Sequence, residues 1–368
     1  MIDFDLKHVA PPPSRTDFPI GVIGSGFIVR DVQLVAYARA GYRVAAIASN
    51  DPPQAAEVAA ARNIPRVYPS VGELLADPSI QIIDVAVPPH IQPGIVRDAV
   101  GQRDHIKGLL LQKPLATCYA DAVEVARLCA DAGVTAAVNQ NMRHDQSIRA
   151  LKTLLDRGDL GEPVLATIEM RAVPHWQKWL EDYGRLTLLN MSIHHLDCFR
   201  YLFGTPESVY ASARTDPRTS FPHSDGICLY ILEYASGLRA SAWDDVWAGP
   251  EPARSWPDAY IKWRVAGTEG VAQGTIGWPA YPNACASTIE FSTKAQPGGW
   301  VRPRWKEVWF PDAFAGTMGE LLEAVATGGQ PATSASDNLD TMALVEACYR
   351  SIQLHRAVAI TEVKGAIR

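Results

Sequence analysis

A lysine follows a run of three leucines in the stretch LLLQKPLA, residues 109–116. Buried strands usually end in residues that favour turns and face water, such as Gly, Asn or Asp. The ring of Pro114 fixes its own φ and biases Lys113 away from the helical region, so the lysine is held at the strand end. Such a lysine is either solvated or directed at a ligand, which makes Lys113 the first candidate for chemistry.

The second candidate lies in LLNMSIHHLDCFRYLFG, residues 188–204. Asn190 and His194 are four residues apart, so on a helix their side chains share one face. His195 points about 100° away from His194 around the helix axis. Because adjacent histidines on a helix diverge, we expect no metal site here. His194 is either a core histidine bonded within the helix or a group that faces a ligand.

The third candidate is the glycine-rich turn GVIGSGFIVRD. Gly24 and Gly26 occupy the first two places of the G-x-G-x-x-G/A fingerprint, and the bulkier Val29 occupies the third. The glycines allow a tight turn and a close approach of backbone amides to a pyrophosphate, and the helix N-terminus adds partial positive charge. The turn follows a strand and opens a helix, so it predicts a dinucleotide whose pyrophosphate contacts residues 24–28, including Phe27 and Ile28.

The cofactor preference is read at the end of the second predicted strand, at Ser49 and Asn50. An NAD-preferring site usually has an acidic residue in the place of Ser49, where it binds the ribose hydroxyls. A serine can hydrogen-bond to the ribose without repelling a 2′-phosphate, but no arginine follows at once to bind that phosphate. We therefore expect NAD, with NADP as the alternative.

The elements that position these residues form two contrasting halves. Six short apolar strands alternate with helices at 20–23, 44–49, 66–68, 82–87, 108–111 and 134–138. This alternation predicts a doubly wound parallel sheet, an α/β Rossmann domain over residues 1–140. Lys113 then lies at the carboxyl edge of that sheet, where ligands bind in open α/β folds.

The alternation of strands and helices ends at about residue 140. Seven strand-like segments follow without regular intervening helices, at 164–170, 208–213, 227–233, 239–242, 261–266, 288–291 and 306–310. They predict an α+β domain over residues 141–368 with a large, mostly antiparallel open sheet. Helices are predicted before and after these strands, at 147–157, 317–326 and 337–356.

The bulk composition gives no support for nucleic acid or membrane partners. The net charge is −6 with no block of like charge, and no apolar run reaches about 18 residues. The six cysteines are scattered without a C-x-x-C pair, and the N-terminus lacks a basic start and an apolar segment. These features predict buried free thiols in a cytoplasmic protein without a secretory signal.

These stretches together resemble the glucose–fructose oxidoreductase, inositol dehydrogenase and MocA family of NAD(P)-dependent oxidoreductases, over nearly the whole chain. In that family the fifth strand ends in Glu-Lys-Pro and its lysine holds the reacting hydroxyl, a pattern matched here by Gln112 and Lys113. VAVPPHIQPGIVRDAV resembles the segment over the nicotinamide, where Gln92 replaces a frequent histidine. The resemblance implies cofactor contacts by Pro88, Gln92, Gln112 and Lys113.

The family often has D-x-x-x-H-x-x-D where this chain has Asn190, His194 and Asp197. The resemblance implies that His194 acts as general base, Lys113 polarises the hydroxyl, and Asn190 orients the imidazole or a neighbouring hydroxyl. Gln112 and Asn190 each replace an acidic residue, which removes two negative charges. We expect Lys113 and His194 to be easier to deprotonate for that reason.

The implied activity is oxidation of a hydroxyl of a sugar, polyol or sugar acid by hydride transfer to nicotinamide. Arg171 and Trp176 lie in an aromatic-rich stretch suited to binding a sugar ring. Two alternatives stay open: an NAD-dependent glycoside hydrolase that works by transient oxidation and elimination, and a cofactor-sensing binding protein without catalysis. Relatives pair through the flat face of the large sheet, which implies a homodimer or homotetramer.

Overall fold

The protein forms two compact units, each built from more than one stretch of chain. A computed structural model describes residues 5–172, 178–247, 259–277, 285–296 and 298–366. The parallel-sheet unit comprises Ala10–Asn141 and Pro311–Met342, and the large-sheet unit comprises Met1–Val9, Met142–Phe310 and Ala343–Arg368. The predicted boundary after residue 140 instead assigned one continuous stretch to each domain.

The strands in the described residues are β1 (Ile20–Ile23), β2 (Val44–Ala48), β3 (Val67–Tyr68), β4 (Ile82–Val85), β5 (Gly108–Leu111), β6 (Thr135–Val138), β7 (Pro163–Arg171), β8 (Ser208–Arg214), β9 (Ile227–Glu233), β10 (Arg239–Asp245), β11 (Tyr260–Gly267), β12 (Gly270–Ile276), β13 (Thr288–Thr293) and β14 (Val358–Ala359). The α-helices there are α1 (Leu34–Ala40), α2 (Pro52–Arg62), α3 (Val71–Ala76), α4 (Gln92–Val100), α5 (Tyr119–Ala132), α6 (Gln146–Asp156), α7 (Ile193–Phe203), α8 (Phe314–Thr327), α9 (Ala335–Leu354) and α10 (Ile360–Gly365). None of the described helices is both long and apolar enough to cross a membrane.

The parallel-sheet unit has the predicted doubly wound sheet, in the order β3-β2-β1-β4-β5-β6 with every pairing parallel. All residues of β1, β4 and β5 are buried, as expected when helices cover both faces of a parallel sheet. Helix α8 packs on β5 and β6. Gly108 permits this approach, because a Cβ there would lie 3.0 Å from Val325 and 3.2 Å from Leu321.

The large-sheet unit contains an eight-stranded sheet in the order β13-β12-β11-β7-β10-β9-β8-β14. Its pairings are antiparallel except that β7 and β10 run parallel, so the mostly antiparallel prediction is confirmed. Burial alternates along β9 and β10, which gives one face packed on helices and one open face. On the packed face, the indole of Trp263 donates to the hydroxyl of Ser147 at 3.0 Å.

One strand prediction in this unit is wrong, and strands β12 and β14 were not predicted. The strand expected at 306–310 is absent from the described residues there, and Trp309–Ala313 instead forms a kinked helical turn. The rings of Trp309 and Phe310 pack edge to face at 4.7 Å, so the apolar pattern serves a turn. Strand β12 was missed because GVAQGTI lacks apolar alternation. Its Gly274 is needed, since a Cβ there would lie 2.1 Å from the carbonyl oxygen of Thr288.

Candidate active site

The glycine turn leaves open space where a dinucleotide fingerprint requires it. Gly24 has φ +117°, and a Cβ there would lie 2.3 Å from the carbonyl oxygen of Ala86, so only glycine fits. At Gly26 a Cβ would meet nothing within 4 Å. Gly24 therefore shapes the turn. Gly26 leaves an open space beside the turn, the glycine cradle, which a side chain would fill.

The helix after this turn begins directly after Gly26. Phe27 is its N-cap and has no polar side-chain atom to accept the first N–H groups. Phe27 and Ile28 are partly exposed. Val29 is buried, and the turn at Ile28–Gln33 is π-helical, so the bulky third residue of the fingerprint lies in a wider helical turn. The residues present thus fit a pyrophosphate.

Ser49 is bonded into the loop after β2. Its hydroxyl oxygen is buried, lies 2.9 Å from Ser25 Oγ and accepts the N–H of Asp51 at 3.2 Å. Asn50 is exposed, and Pro88 after β4 is partly exposed. Ser49 therefore shapes this edge of the site, while the ribose contacts of Ser49 and Asn50 stay predictions.

Lys113 stands at the carboxyl end of β5, as the sequence predicted. The strand is fully buried, whereas Gln112 and Lys113 are partly exposed and the Lys113–Pro114 peptide is cis. Burial lowers the pKa of the Lys113 ammonium to about 8. The pKa of Lys113 is lowered, as expected, but the cause is desolvation and not the loss of the family's carboxylate at position 112. A lysine with this pKa is present both as a donor and as a neutral amine near neutral pH.

Gln92 has partners that the sequence did not predict. Its Nε2 donates to the carbonyl oxygens of Gln112 at 3.0 Å and Leu115 at 2.9 Å, and its Oε1 accepts the N–H of Gln112 at 2.7 Å. Its exposure is 0%, which leaves no surface for a ligand. Gln92 therefore hydrogen-bonds to the loop after β5, and the structure gives no support for its predicted contact with the cofactor. No local pattern signals this, because the partners are distant in sequence.

Gln112 is held from a second side. Its Oε1 accepts the Nδ2 of Asn139 at 3.3 Å, and Asn139 Oδ1 accepts the hydroxyl of Thr317 at 3.0 Å. All these groups are neutral. The side chain that replaces the family's glutamate thus belongs to an uncharged hydrogen-bond chain along the carboxyl ends of β5 and β6.

His194 is buried on α7, and its ring meets the edge of Trp309 with centroids 6.2 Å apart. The helix is preceded by a π-helical turn at Leu188–Ser192, which contains Asn190. The argument that residues four apart share a face assumed α-helical geometry, and this turn departs from it. The pairing of Asn190 with His194 therefore stays a prediction.

Asp244 on β10 holds the residues on either side of His194. Its Oδ1 lies 2.9 Å from Nδ1 of His195, and its Oδ2 accepts the hydroxyl of Ser192. Asp244 and His195 both have 0% exposure. His195 thus faces a buried carboxylate, and a catalytic role of His194 stays a prediction.

Asp225 holds the turn that precedes α7. Its carboxylate accepts the N–H groups of Leu186 at 2.7 Å and Leu188 at 2.8 Å, and the hydroxyl of Tyr349 at 2.8 Å. Burial raises the pKa of Asp225, and the three donors oppose that effect. The turn that leads into α7 is therefore tied to the sheet by hydrogen bonds to one carboxylate.

Asp197, the single acidic residue of the histidine stretch, pairs closely with Arg143 and lies 3.9 Å from Nη1 of Arg200. The Arg143 guanidinium donates twice to the carboxylate, at 2.6 Å and 2.7 Å, and both side chains are buried. Across the part of the chain that the structure describes, no group of three or more His, Cys, Asp and Glu residues could hold a metal. Asp197 is thus an anchor for α7.

Two further residues, Arg171 and Trp176, were predicted to contact the substrate. Trp176 lies outside the described residues. Arg171 pairs with Asp245 across β7 and β10, and its guanidinium lies 5.7 Å from the ring centroid of Trp243. Because residues alternate along β10, Trp243 and Asp245 lie on the open face, opposite Asp244. Arg171 likewise alternates onto the less buried face of β7, and its predicted substrate contact stays a prediction.

A glycine cradle at the first strand of a doubly wound sheet, with a lysine at the sheet's carboxyl edge, defines a dinucleotide-dependent oxidoreductase of the Rossmann class. The family profile described as an oxidoreductase family with an NAD-binding Rossmann fold matches residues 18–140, and the GFO/IDH/MocA C-terminal domain matches residues 148–273. The chain belongs to the GFO/IDH/MocA family.

Similar proteins span almost the whole chain. D-apiose dehydrogenase of Rhizobium rhizogenes is 26% identical over 94% of this chain and 99% of its own. D-xylose 1-dehydrogenase (NADP(+)) 2 of Haloferax volcanii is 26% identical over 92% of this chain and 99% of its own. An oxidoreductase from Agrobacterium radiobacter, crystallised with NAD+, L-tartaric acid and magnesium, superposes with a TM-score of 0.79 at 24% identity, covering 94% and 99% of the two chains.

Proposed function

We propose that this protein is an NAD(P)-dependent dehydrogenase that oxidises a hydroxyl group of a sugar or polyol. The observation that carries the proposal is a lysine of lowered pKa at the carboxyl end of β5, in the same unit as the glycine cradle. The full-length similarity to D-apiose and D-xylose dehydrogenases supports the substrate class. Sugar acids belong in the substrate screen because a lysine also suits a carboxylate.

We propose the following roles for the chain's own residues. Bound nicotinamide would supply the hydride acceptor. Lys113 holds and polarises the reacting hydroxyl, His194 takes its proton, and Asn190 orients one of these groups. A positioned general base contributes about 10²–10⁴-fold in rate.

We propose NAD as the cofactor, with NADP as the alternative that the assay compares. Gly24, Gly26, Phe27 and Ile28 would hold the pyrophosphate, and Ser49 and Asn50 would face the ribose. A serine at the second strand end supports either cofactor, and the lack of a following arginine favours NAD.

We further propose a homodimer or homotetramer that forms through the open face of the large sheet. Tyr210, Leu229 and Ile231 are neighbours across β8 and β9 and are 47%, 51% and 47% exposed. A contiguous apolar patch of this kind marks an interaction site. The six cysteines are all free thiols, which supports a reducing, cytoplasmic location.

The test is a screen of sugars, polyols and sugar acids with each cofactor, read by nicotinamide absorbance. Lys113→Met keeps most of the stem and removes the ammonium, so kcat/KM should fall by about 10²-fold or more while the melting temperature and cofactor affinity hold. His194→Ala should fall similarly, and the double variant by less than the product of the two. Glycoside cleavage without net cofactor turnover would instead indicate the hydrolase, and bound cofactor without any turnover would indicate a sensor.

A further inference from the structure

The carboxamide of Gln92 is enclosed by the main chain of the loop that carries Lys113. Its two N–H groups meet the carbonyl oxygens of Gln112 and Leu115, which lie on either side of the Lys113–Pro114 pair. Its oxygen accepts the N–H of Gln112. One side chain therefore holds the loop at the residue before the lysine and at the second residue after it.

We propose that Gln92 is a positioning residue that fixes the direction of Lys113 and, through it, the rate of the reaction. The inference rests on the proposed function, in which Lys113 touches the substrate. All of these contacts are to main-chain atoms, so they act on the path of the backbone whatever side chains stand at 112 and 115.

The chemistry of the contacts requires a carboxamide. Two donors and one acceptor are needed in one buried group, and a glutamine side chain supplies all of them without charge. Both Nε2 hydrogens are already engaged by carbonyls, and Gln92 has 0% exposure, so no donor remains for a ligand. Gln92 is thus committed to the loop.

Loss of these hydrogen bonds should expose Lys113 and leave its side chain less precisely oriented. The pKa of Lys113 is lowered to about 8 by burial, so a looser loop should raise it toward the ordinary 10.5. A displacement of about 1 Å at a reacting group costs about 10²-fold in rate. Gln92→Met should therefore lower kcat/KM by roughly that factor and move the alkaline limb of the pH profile upward, with cofactor affinity unchanged.

The chain offers a matched control at the other end of the same strand. His105, in the loop before β5, bonds through Nε2 to the carbonyl oxygen of Leu75 at 2.9 Å. His105→Leu removes the same kind of contact, a side-chain nitrogen on a backbone carbonyl, in the same unit. It should lower the melting temperature without moving the pH profile.

The experiment labels lysines with acetic anhydride across a pH series and reads the labelling midpoint of Lys113 by mass spectrometry, beside kcat/KM. A higher midpoint in Gln92→Met but not in His105→Leu supports the proposal. An unchanged midpoint, or the same shift in both variants, overturns it. If the wild type turns over none of the substrates, the proposed function fails while the labelling midpoint still decides the role of Gln92. Should Gln92→Met fail to fold, Gln92→Glu, which keeps only the acceptor, is measured in its place.

Discussion

Replacing Asp84 by asparagine should stabilise the parallel-sheet unit, and the gain should grow with pH. Asp84 lies on β4 with 0% exposure, and its Oδ2 accepts Tyr37 Oη at 2.8 Å and Gln33 Nε2 at 2.9 Å. Among the described residues, neither Asp84 Oδ1 nor Gln33 Oε1 has a donor. An asparagine keeps the acceptor and supplies an N–H group to this acceptor-rich pocket.

The magnitude follows from the pKa. Burial raises the pKa of Asp84 from 3.8 to about 7, so between those values the folded state binds the proton that the unfolded state has released. Wild-type stability therefore falls as pH rises through this window and is level above it. At about 1.36 kcal/mol for each pH unit, the charged carboxylate costs about 4 kcal/mol above pH 7. Between pH 5 and 8.5 the advantage of Asp84→Asn should grow by about 3 kcal/mol.

The assay must report on the correct unit. All ten tryptophans lie between residues 176 and 309, so their fluorescence reports on the large-sheet unit. Hydrogen exchange of the β4 amides, measured by mass spectrometry at pH 5 and 8.5, reports on the unit that contains Asp84. Asp104→Asn, an exposed substitution in the same unit, is the control. Equal protection differences at the two pH values, or a larger gain at pH 5, would refute the reasoning.

Three further predictions concern the cradle, the anchor of α7 and the open face. Gly24→Ala should lower the melting temperature, whereas Gly26→Ala should fold normally and lose cofactor affinity in calorimetry; equal behaviour would contradict the two glycine roles. Arg143→Met leaves Asp197 buried with only the more distant Arg200, at 3.9 Å, and should lower stability by up to about 3–5 kcal/mol by tryptophan fluorescence, and a change below about 1 kcal/mol would count against the anchor. Leu229→Lys should give a monomeric mass in light scattering, against an oligomeric wild type.

The parallel sheet was predictable because its signals are local. Short apolar segments of three to six residues, bounded by Gly and Pro and separated by helices, predicted all six strands and hence the placement of Lys113 at the sheet edge. The glycine fingerprint was equally local, and Gly24 has the positive φ that such a turn needs.

What the sequence could not reveal depends on contacts between distant segments. The grip of Gln92 on the loop after β5 joins residues that share no pattern, and Asp225 meets Leu186 and Leu188 only because a strand end and a turn converge. The alternation at 306–310 imitates a strand, but Trp309 packs against His194 and the chain turns there. An apolar periodicity shows that a segment is buried, but it does not show whether that segment is a strand or a turn.

The placement of α8 has a consequence for the order of folding during synthesis. All six strands of the parallel sheet precede residue 142, yet α8, which packs against Gly108 on β5, comes from 314–327. The ribosome therefore releases the entire segment 142–310 before the sheet can receive its last helix. Until then the nascent chain carries an uncovered apolar face on β5 and β6, where a chaperone would be expected to bind. A fragment that stops at Asn141 would keep that face exposed permanently, so a stand-alone cofactor domain requires 311–342 to be joined directly to 10–141.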